Sequence, residues 1–347
     1  MYKYIIIGSG VTGLLLLLVL ATKGSIEPNT ICMIDPYFDG GDMMRKWGSV
    51  QSNTPWSKAF LSIQKVLPTI TSSLPQTSTT PLHEIPNCLR SYTSTLQKQS
   101  RQIQGLATKA VYNSSMKQWT VYYSLASASS ANATIGSVEG SRLIFAQGSE
   151  PQGLDLPIPS IPLEVALDPY RIKQYVKPRD HVLVFGTMHS GTLILKNVMD
   201  CSGSTATGFY KKEKPFYFAR DGEYDGIKED SAVIADEILK GSYGDRLSLV
   251  NVDTLSDVIR NTIRAKWVVY AMGFSPRKTI QLQIDDSAPR TPEQYDGTTG
   301  RLEGAPNAWG FGIAYPNRAP DGIHWDVSVA SFVDHILLQL NDLINGI

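Results

Sequence analysis

The first thirty-five residues constrain the fold of this chain more than any other stretch. Residues 4–7 and 31–34 are short apolar runs, and a glycine-rich turn at residues 8–13 leads from the first run into the apolar segment 14–21. This order predicts strand, turn, helix and strand, which is the context that confirms a dinucleotide-binding fingerprint. Asp35 ends the second strand, where a carboxylate accepts hydrogen bonds from the ribose hydroxyls of a dinucleotide.

Each glycine of the turn has its own physical task. Gly8 allows the tight turn, Gly10 leaves room for a pyrophosphate at the backbone, and Gly13 lets the helix pack closely on the strand. Val11 and Thr12 begin the helix, whose N-terminal N–H groups and positive dipole end attract phosphate. We therefore predict a dinucleotide site here. The alternative is a glycine turn that only packs a helix against a sheet.

Composition narrows the class of protein. The 347 residues, enough for two domains, carry 32 basic and 32 acidic side chains, so the zero net charge favours neither nucleic acid nor a membrane surface as a partner. The apolar segment 14–21 is too short to span a bilayer. Three widely spaced cysteines, with no C-x-x-C pair and no metal-ligand spacing, indicate a reducing compartment. We expect a cytoplasmic protein without a bound metal.

The chain then changes its hydrophobic period. Residues 107–146 alternate apolar with polar side chains, which predicts a β-meander whose last part breaks into two strands near residue 140. Residues 147–170 are rich in glycine and proline, which is typical of a linker between domains. Further on, the sequence predicts a hairpin through Asp257, and the apolar spacing after Asp326 predicts a C-terminal helix.

A second nucleotide-binding unit follows the linker. A short apolar strand leads into Gly186, and the spacing to Gly191, which follows Ser190, repeats the glycine spacing of the first turn. Met188 occupies the middle position, where a side chain holds a pyrophosphate further from the turn or forces the loop open. His189 is the titratable group of this turn, and we interpret it as a phosphate contact or a surface group.

The next strand of this unit ends in Lys211 and Lys212 instead of an acidic residue. An acid at this position binds the 2′-hydroxyl of NADH, whereas a cation accommodates the 2′-phosphate of NADPH. The pair therefore favours NADPH over NADH. The alternative is a pair of lysines on a surface turn, where this residue is common.

Two fingerprints about 180 residues apart resemble the two-dinucleotide-binding-domain flavoprotein superfamily. The resemblance implies an α/β chain with two Rossmann-like domains, in which the first binds FAD and the second, inserted into the first, binds NAD(P)H. It assigns residues 1–160 and 281–347 to the FAD domain and residues 161–280 to the NAD(P)H domain. It also aligns three small residues with the superfamily's Ala-Thr-Gly turns, namely Ala146, Gly148 and Gly273.

A narrower resemblance is to the flavin-containing (class B) monooxygenases. Residues 49–58 are similar to that family's Ser-Leu-x-Thr-Asn-Thr-Ser-Lys segment, so Asn53 matches the asparagine that lies beside the flavin and helps to hold the C4a-(hydro)peroxyflavin. The family's F-x-G-x-x-x-H signature has no counterpart, because residues 151–180 contain no histidine. The remaining positions that we expect against the cofactors are Pro36, Asp42, Met43, Trp47, Gly312 and Ile313.

Three functions follow from these patterns. The first is an FAD-dependent, NADPH-using monooxygenase that consumes molecular oxygen and oxygenates a small molecule at nitrogen, sulfur or a ketone. The second is an NAD(P)H-dependent flavin reductase or oxidase without oxygenation, and the third is a flavin-binding sensor that has lost catalysis. Asn53 would serve the first as a fixed amide donor in a dry site. Its alternative role is that of an Asx cap before the helix that begins near Ser57.

Overall fold

The computed structural model describes residues 1–346 apart from 126–134, 217–218, 221–222, 225–229, 254, 278–279, 293, 320–321 and 323–324. Its α-helices are α1 Val11–Thr22, α2 Asp42–Arg45, α3 Trp56–Val66, α4 Glu84–Gln99, α5 Leu163–Ala166, α6 Ile172–Tyr175, α7 His189–Met199, α8 Asp230–Leu239, α9 Leu255–Arg264, α10 Val329–Leu338 and α11 Leu340–Asn345. Its strands are β1 Tyr2–Ile7, β2 Ile31–Asp35, β3 Arg101–Asn113, β4 Gln118–Leu125, β5 Ile135–Phe145, β6 Ser149–Pro151, β7 His181–Phe185, β8 Thr205–Tyr210, β9 Ala219–Arg220, β10 Glu223–Tyr224, β11 Leu247–Asn251, β12 Trp267–Tyr270, β13 Phe274–Pro276, β14 Gln281–Ile284, β15 Ala308–Gly310, β16 Asn317–Arg318 and β17 Trp325–Asp326.

The larger sheet is built around the first fingerprint. Strand β1 pairs in parallel with β2 on one side and with β5 on the other, and β15 continues the parallel arrangement beyond β5. Helix α1 is buried from Val11 to Leu20, because it lies between this sheet and the helices α3, α4 and α10. An apolar side chain on every face of α1 fits that central position. The predicted strand, turn, helix and strand are confirmed.

The predicted β-meander is present, but its bounds differ. Strand β3 begins at Arg101, and the predicted break near residue 140 is wrong, since β5 runs without interruption through Gly140. Gly140 is the residue at which β5 passes from its antiparallel partner β4 to its parallel partner β1. A side chain there would come within 2.8 Å of Ile5 Cγ1, so the glycine allows close strand approach and does not end the strand.

The smaller sheet contains the second fingerprint. Its four strands run in parallel in the order β11-β8-β7-β12, with α7 following β7. This unit lies in the sequence between β5 and β14 of the larger sheet, so the predicted insertion is confirmed. The predicted hairpin through Asp257 is wrong, because helix α9 occupies that stretch.

The chain passes between the two sheets through an antiparallel pair of short strands, β6 and β13. The predicted linker thus contains one strand of this pair and, further on, α5. The boundaries near residues 160 and 280 stay predictions. In the part of the chain that the structure describes, no helix combines the length and the apolar character needed to cross a membrane.

Candidate functional site: two cavities that meet

A cavity of about 340 Å³, called here the first cavity, lies at the carboxyl ends of β1, β2 and β5. Its volume is within the range of sites that hold cofactors. Many of the residues predicted to contact a cofactor line it. They are Gly8, Gly10, Val11, Thr12, Asp35, Asp42, Met43, Trp47, Asn53, Ala146, Gly148, Ser190 and Ile313.

The three glycines of the first turn have different surroundings, so glycine is needed at each position for a different reason. A Cβ on Gly8 would overlap the carbonyl oxygen of Ala146, and a Cβ on Gly13 would overlap the carbonyl oxygen of Gly8. A Cβ on Gly10 would meet only the backbone of residues 40–41, at an ordinary 3.7 Å, and Gly10 has a φ of −73° that any residue adopts. Packing within the protein therefore explains why glycine is required at positions 8 and 13, but it does not require glycine at position 10. The open space at Gly10 fits a dinucleotide pyrophosphate at the N-terminus of α1.

Asp35 is buried at the end of β2, and the backbone holds its carboxylate in place. Oδ2 accepts from the N–H of Ser9 at 2.8 Å, and Oδ1 accepts from the N–H groups of Tyr37 and Phe38 at 2.8 and 2.9 Å. A carboxylate offers about four acceptor positions. Backbone N–H groups occupy three of them, so one remains for a ribose hydroxyl. The geometry is thus compatible with the predicted ribose contact.

Asn53 lies in the segment of residues 47–55, called here the Asn53 loop. Its side-chain oxygen accepts a hydrogen bond from Thr54 Oγ1 at 3.1 Å, while no described residue accepts from its amide NH2. Ser52 makes the local turn instead, because its Oγ accepts from the N–H of Thr54 at 3.1 Å. Helix α3 begins after Pro55 without a side-chain cap, so Asn53 does not have the alternative role of helix cap. Asn53 lines the first cavity, and its amide NH2 group is an uncommitted donor among the described residues.

Asp42 joins the first turn region to the segment that returns from the inserted unit. It forms ion pairs with Arg45, Lys46 and Arg277. Burial alone would raise the pKa of Asp42, but the hydrogen bond from Arg45 and the positive charges of Arg277 and Lys46 outweigh burial and lower it. Arg277 follows β13 and was not singled out from the sequence, because nothing local in the sequence shows this long-range pairing.

A cavity of about 540 Å³, called here the second cavity, lies at the carboxyl ends of β7, β8 and β12. Five of the predicted residues line it, together with Met188: Gly186, Ser190, Lys211, Lys212 and Gly273. Lys214 lines it as well, so three lysines gather where a 2′-phosphate is expected. Lys214 was missed, although its position two residues after Lys212 was a visible signal.

The second turn reproduces the packing of the first. A Cβ on Gly186 would overlap the carbonyl oxygen of Ala271, and a Cβ on Gly191 would overlap that of Gly186. Met188 has φ −75° and ψ −166°, nearly the backbone conformation of Gly10. The same turn therefore accommodates a side chain in its middle position without rearrangement. Met188 lines the second cavity at the position of the turn that Gly10 has in the first one.

Four of the predicted residues line neither cavity. Gly13 and Gly191 pack inside their turns, and Pro36 is half-buried after β2. Gly312 has a φ of +86°, and a Cβ there would overlap Thr12 Oγ1, so it lets its loop approach the start of α1. The three glycines thus serve close packing within the protein and do not line the cavities.

The two cavities share three residues: His189, Ser190 and Phe274. The ring of Phe274 packs edge-on against Trp47 of the Asn53 loop, with centroids 5.9 Å apart. The sequence predicted Ser190 as a cofactor contact and His189 as a phosphate contact or a surface group, but it did not identify Phe274. Phe274 lies where the two domains meet, and the sequence around it does not show that contact.

The cysteines of the chain are free thiols. Cys32, Cys88 and Cys201 are not disulfide-bonded, and none of the three lines either cavity. Burial raises the pKa of the Cys32 thiol to about 12, which disfavours the reactive thiolate. Across the same described residues, no three potential ligands gather to hold a metal ion.

Comparison with known proteins gives a relative in sequence and several solved structures with a similar fold. No protein-family model matches the chain. A protein described as Monooxygenase AgnR1, from Paecilomyces divaricatus, is 25% identical over 368 aligned positions, which cover 91% of each chain.

Solved structures of two further proteins share the fold. The bacillithiol disulfide reductase of Bacillus cereus superimposes with a TM-score of 0.64 at 12% identity, covering 99% of this chain and 98% of its own. The polycyclic ketone monooxygenase of Thermothelomyces thermophila superimposes with a TM-score of 0.59 at 10% identity, covering 99% of this chain and 75% of its own. The predicted α/β fold with two Rossmann-like domains is confirmed.

Proposed function

We propose that the chain is an FAD-dependent, NADPH-using oxidoreductase that acts as a monooxygenase on a small molecule. The observation that carries this proposal is the junction of the two cavities at His189, Ser190 and Phe274. A flavin in the first cavity and a nicotinamide in the second would meet there, as hydride transfer requires. The relative described as a monooxygenase supports the same class of activity.

The chain's own residues have defined tasks in this proposal. Gly10 and the N-terminus of α1 bind the pyrophosphate of FAD, and Asp35 binds its ribose. Lys211 and Lys212, with Lys214 beside them, bind the 2′-phosphate of NADPH. When bound, FAD accepts hydride from NADPH and passes electrons to molecular oxygen, so the protein has to orient the two cofactors and exclude water.

Asn53 is the residue that we assign to oxygenation. Its uncommitted amide donor in the first cavity would hydrogen-bond the reacting oxygen, and the apolar walls formed by Trp47, Phe274 and Ile313 would keep water away. The overall balance is one substrate, one O₂, one NADPH and one proton giving oxygenated substrate, water and NADP⁺. Substrates oxygenated at nitrogen, at sulfur or at a ketone fit this chemistry. We place the reaction in the cytoplasm.

The test is to measure how the electrons are used. The purified protein, supplied with FAD, is given NADPH and panels of amines, sulfides and ketones, while NADPH loss, product and hydrogen peroxide are quantified together. A monooxygenase forms oxygenated product in proportion to NADPH consumed. NADPH loss that yields only peroxide with every panel would instead identify the oxidase, and a flavoprotein that consumes no NADPH would identify a sensor.

The lysines of the second cavity predict the choice of nucleotide. In the double variant Lys211→Ala with Lys212→Ala, the KM for NADPH is expected to rise about tenfold or more, because two cations near the 2′-phosphate are lost. The KM for NADH should change by less than about twofold, since NADH has no phosphate at that position. Steady-state kinetics with both nucleotides measure the two values.

Lys240→Ala is the matched control, because Lys240 is an exposed lysine just after α8 that lines neither cavity. It should leave both KM values unchanged. Equal losses for NADPH and NADH in the double variant would show that the lysines do not recognise the 2′-phosphate.

A further inference from the structure

Arg277 is a charged residue of the first cavity that belongs to the segment returning from the inserted unit. It directly follows β13, and its side chain is 28% exposed. It lines the first cavity together with two residues that it contacts, Asp42 and Gln147. The end of the inserted unit thus contributes a cation to the wall of a cavity that the first domain forms.

The contacts of Arg277 hold both its side chain and its backbone. Its Nη2 donates to Asp42 Oδ2, and its Nη1 donates to the carbonyl oxygen of Gln147 at 3.4 Å. The side chain of Gln147 returns a bond, because its Nε2 donates to the carbonyl oxygen of Arg277 at 2.7 Å. The guanidinium is therefore kept at the cavity wall.

The two partners of Arg277 lie on opposite sides of the first glycine turn. Strand β1 leads into that turn, and it pairs with β2 on one side and with β5 on the other. Asp42 follows β2 after the loop 36–41, whereas Gln147 lies just beyond the end of β5. The side chain of Arg277 therefore connects the two flanks of the turn.

The residues that precede these two partners touch the turn itself. A Cβ on Gly41 would come within 2.8 Å of Gly10 Cα, and a Cβ on Gly8 would come within 2.2 Å of the carbonyl oxygen of Ala146. The guanidinium of Arg277 is thus bound one residue beyond a close contact on each flank. A dinucleotide pyrophosphate is expected at this same turn.

The positive charge of Arg277 is less compensated than that of the other arginine lining the first cavity, Arg45. Arg45 forms ion pairs with Asp39 and Asp42 and lies over the ring of Tyr37 at 3.8 Å. Among the described residues, Arg277 forms an ion pair with Asp42 alone. A guanidinium has five N–H donors, and these contacts use two of them, so donors remain for an anionic ligand.

We propose that Arg277 binds the pyrophosphate of FAD, so that the inserted unit contributes a residue to the cofactor site of the first domain. This inference rests on the proposed function for the presence of FAD in the first cavity. The N–H groups of the glycine turn are neutral donors, whereas a guanidinium forms stronger, charge-assisted bonds with phosphate oxygens. Because Arg277 is partly buried, salt screens its charge less than that of an exposed side chain.

Titration of the FAD-free full-length protein with FAD tests the proposal, with flavin fluorescence as the measure of binding. Arg277→Ala is expected to raise the Kd of FAD about tenfold or more, because hydrogen bonds to a charged group are lost. Arg277→Lys keeps the charge but not the planar fork, so it should recover part of this loss. An unchanged Kd in a folded Arg277→Ala protein would overturn the proposal.

Salt dependence distinguishes a phosphate contact from a purely structural role. The Kd of FAD for the wild type should rise with the concentration of KCl, because salt weakens the attraction between guanidinium and phosphate. This rise should be clearly smaller in Arg277→Ala, which lacks the guanidinium. A structural residue would raise the Kd by the same factor at every salt concentration, so equal salt dependence in the two proteins would refute the contact.

Arg301→Ala is the matched control. The side chain of Arg301 is also 28% exposed, and its Nε donates to Asp342 Oδ2 at 2.7 Å. Arg301 lines neither the first nor the second cavity. Its replacement removes a comparable ion pair, but the Kd of FAD should stay at the wild-type value. Equal weakening by Arg301→Ala and Arg277→Ala would mean general loosening of the protein and would also count against the proposal.

Asp42→Asn tests whether Arg277 acts only through its ion pair. This variant removes the carboxylate that competes with phosphate for the guanidinium, so it should bind FAD more tightly than the wild type. Weakening to the level of Arg277→Ala would show that the ion pair itself matters, and the proposal would fail. A wild-type protein that binds no FAD would refute the proposed function, whereas equal FAD binding by the wild type and Arg277→Ala would refute only the role of Arg277.

Discussion

Gly10→Ala is expected to give a folded protein that binds FAD at least about tenfold more weakly than the wild type, a loss of about 1.4 kcal/mol. The added methyl group has room in the protein, because its nearest neighbours are backbone atoms of residues 40–41 at 3.7 Å. It would, however, occupy the space into which the pyrophosphate has to come. The stability of the FAD-free protein should change by less than about 1 kcal/mol, the scale of a helix-cap substitution.

Thermal unfolding with and without FAD separates the two effects. Ligand binding to the folded state raises the midpoint, so the wild type should gain stability on addition of FAD and Gly10→Ala should gain little. Gly13→Ala is the contrasting variant, because its methyl group would overlap the backbone carbonyl of Gly8. We expect it to lose about 3 kcal/mol of stability even without FAD. Unchanged FAD affinity in Gly10→Ala would contradict a pyrophosphate at this turn.

Asn53→Ala is expected to keep NADPH consumption but to lower oxygenated product per NADPH at least about tenfold, with hydrogen peroxide rising to match. Removing a preorganised donor from a transition state typically costs about a hundredfold or more in rate, so the competing loss of peroxide should dominate. Hydride transfer from NADPH should continue, because the residues around Lys211 and Lys212 are untouched. Simultaneous assays of product, peroxide and NADPH measure the change.

Two further variants isolate the amide donor. Asn53→Asp has the same shape without the NH2 group and should behave like Asn53→Ala. Thr54→Val removes the hydroxyl that donates to the side-chain oxygen of Asn53 but leaves the NH2 group in place, so its effect should be much smaller. Full coupling in Asn53→Asp would show that the donor has no part in oxygenation.

The sequence predicted the two glycine turns well because the contacts that form each turn involve residues close to one another in the chain. In Gly8 and Gly13, and again in Gly186 and Gly191, a missing Cβ lets a turn close against its neighbouring strand within a few residues. Strand, turn and helix follow from such spacing whatever the rest of the chain does. The roles assigned to individual cofactor contacts stay predictions, although most of those residues line the two cavities.

The sequence predictions that are wrong or incomplete concern residues whose role depends on long-range contacts. Gly140 looks like a strand break, yet it marks the point where β5 changes partners and Ile5 comes close. The predicted hairpin through Asp257 is wrong because helix α9 occupies that stretch, in which Leu255, Val258 and Ile263 have helical spacing. Arg277 acquires its partner Asp42 only when the segment that returns from the inserted unit packs against the first domain, so no local pattern could identify it.

The central claim is that FAD and NADPH meet where the two cavities join, and an anaerobic titration of the purified FAD-supplied protein with NADPH tests it most directly. The flavin's visible absorbance should fall with each addition and reach full bleaching near one NADPH per flavin, since hydride transfer carries two electrons. A protein that takes up no FAD, or a bound flavin that stays oxidised in excess NADPH, would contradict the account.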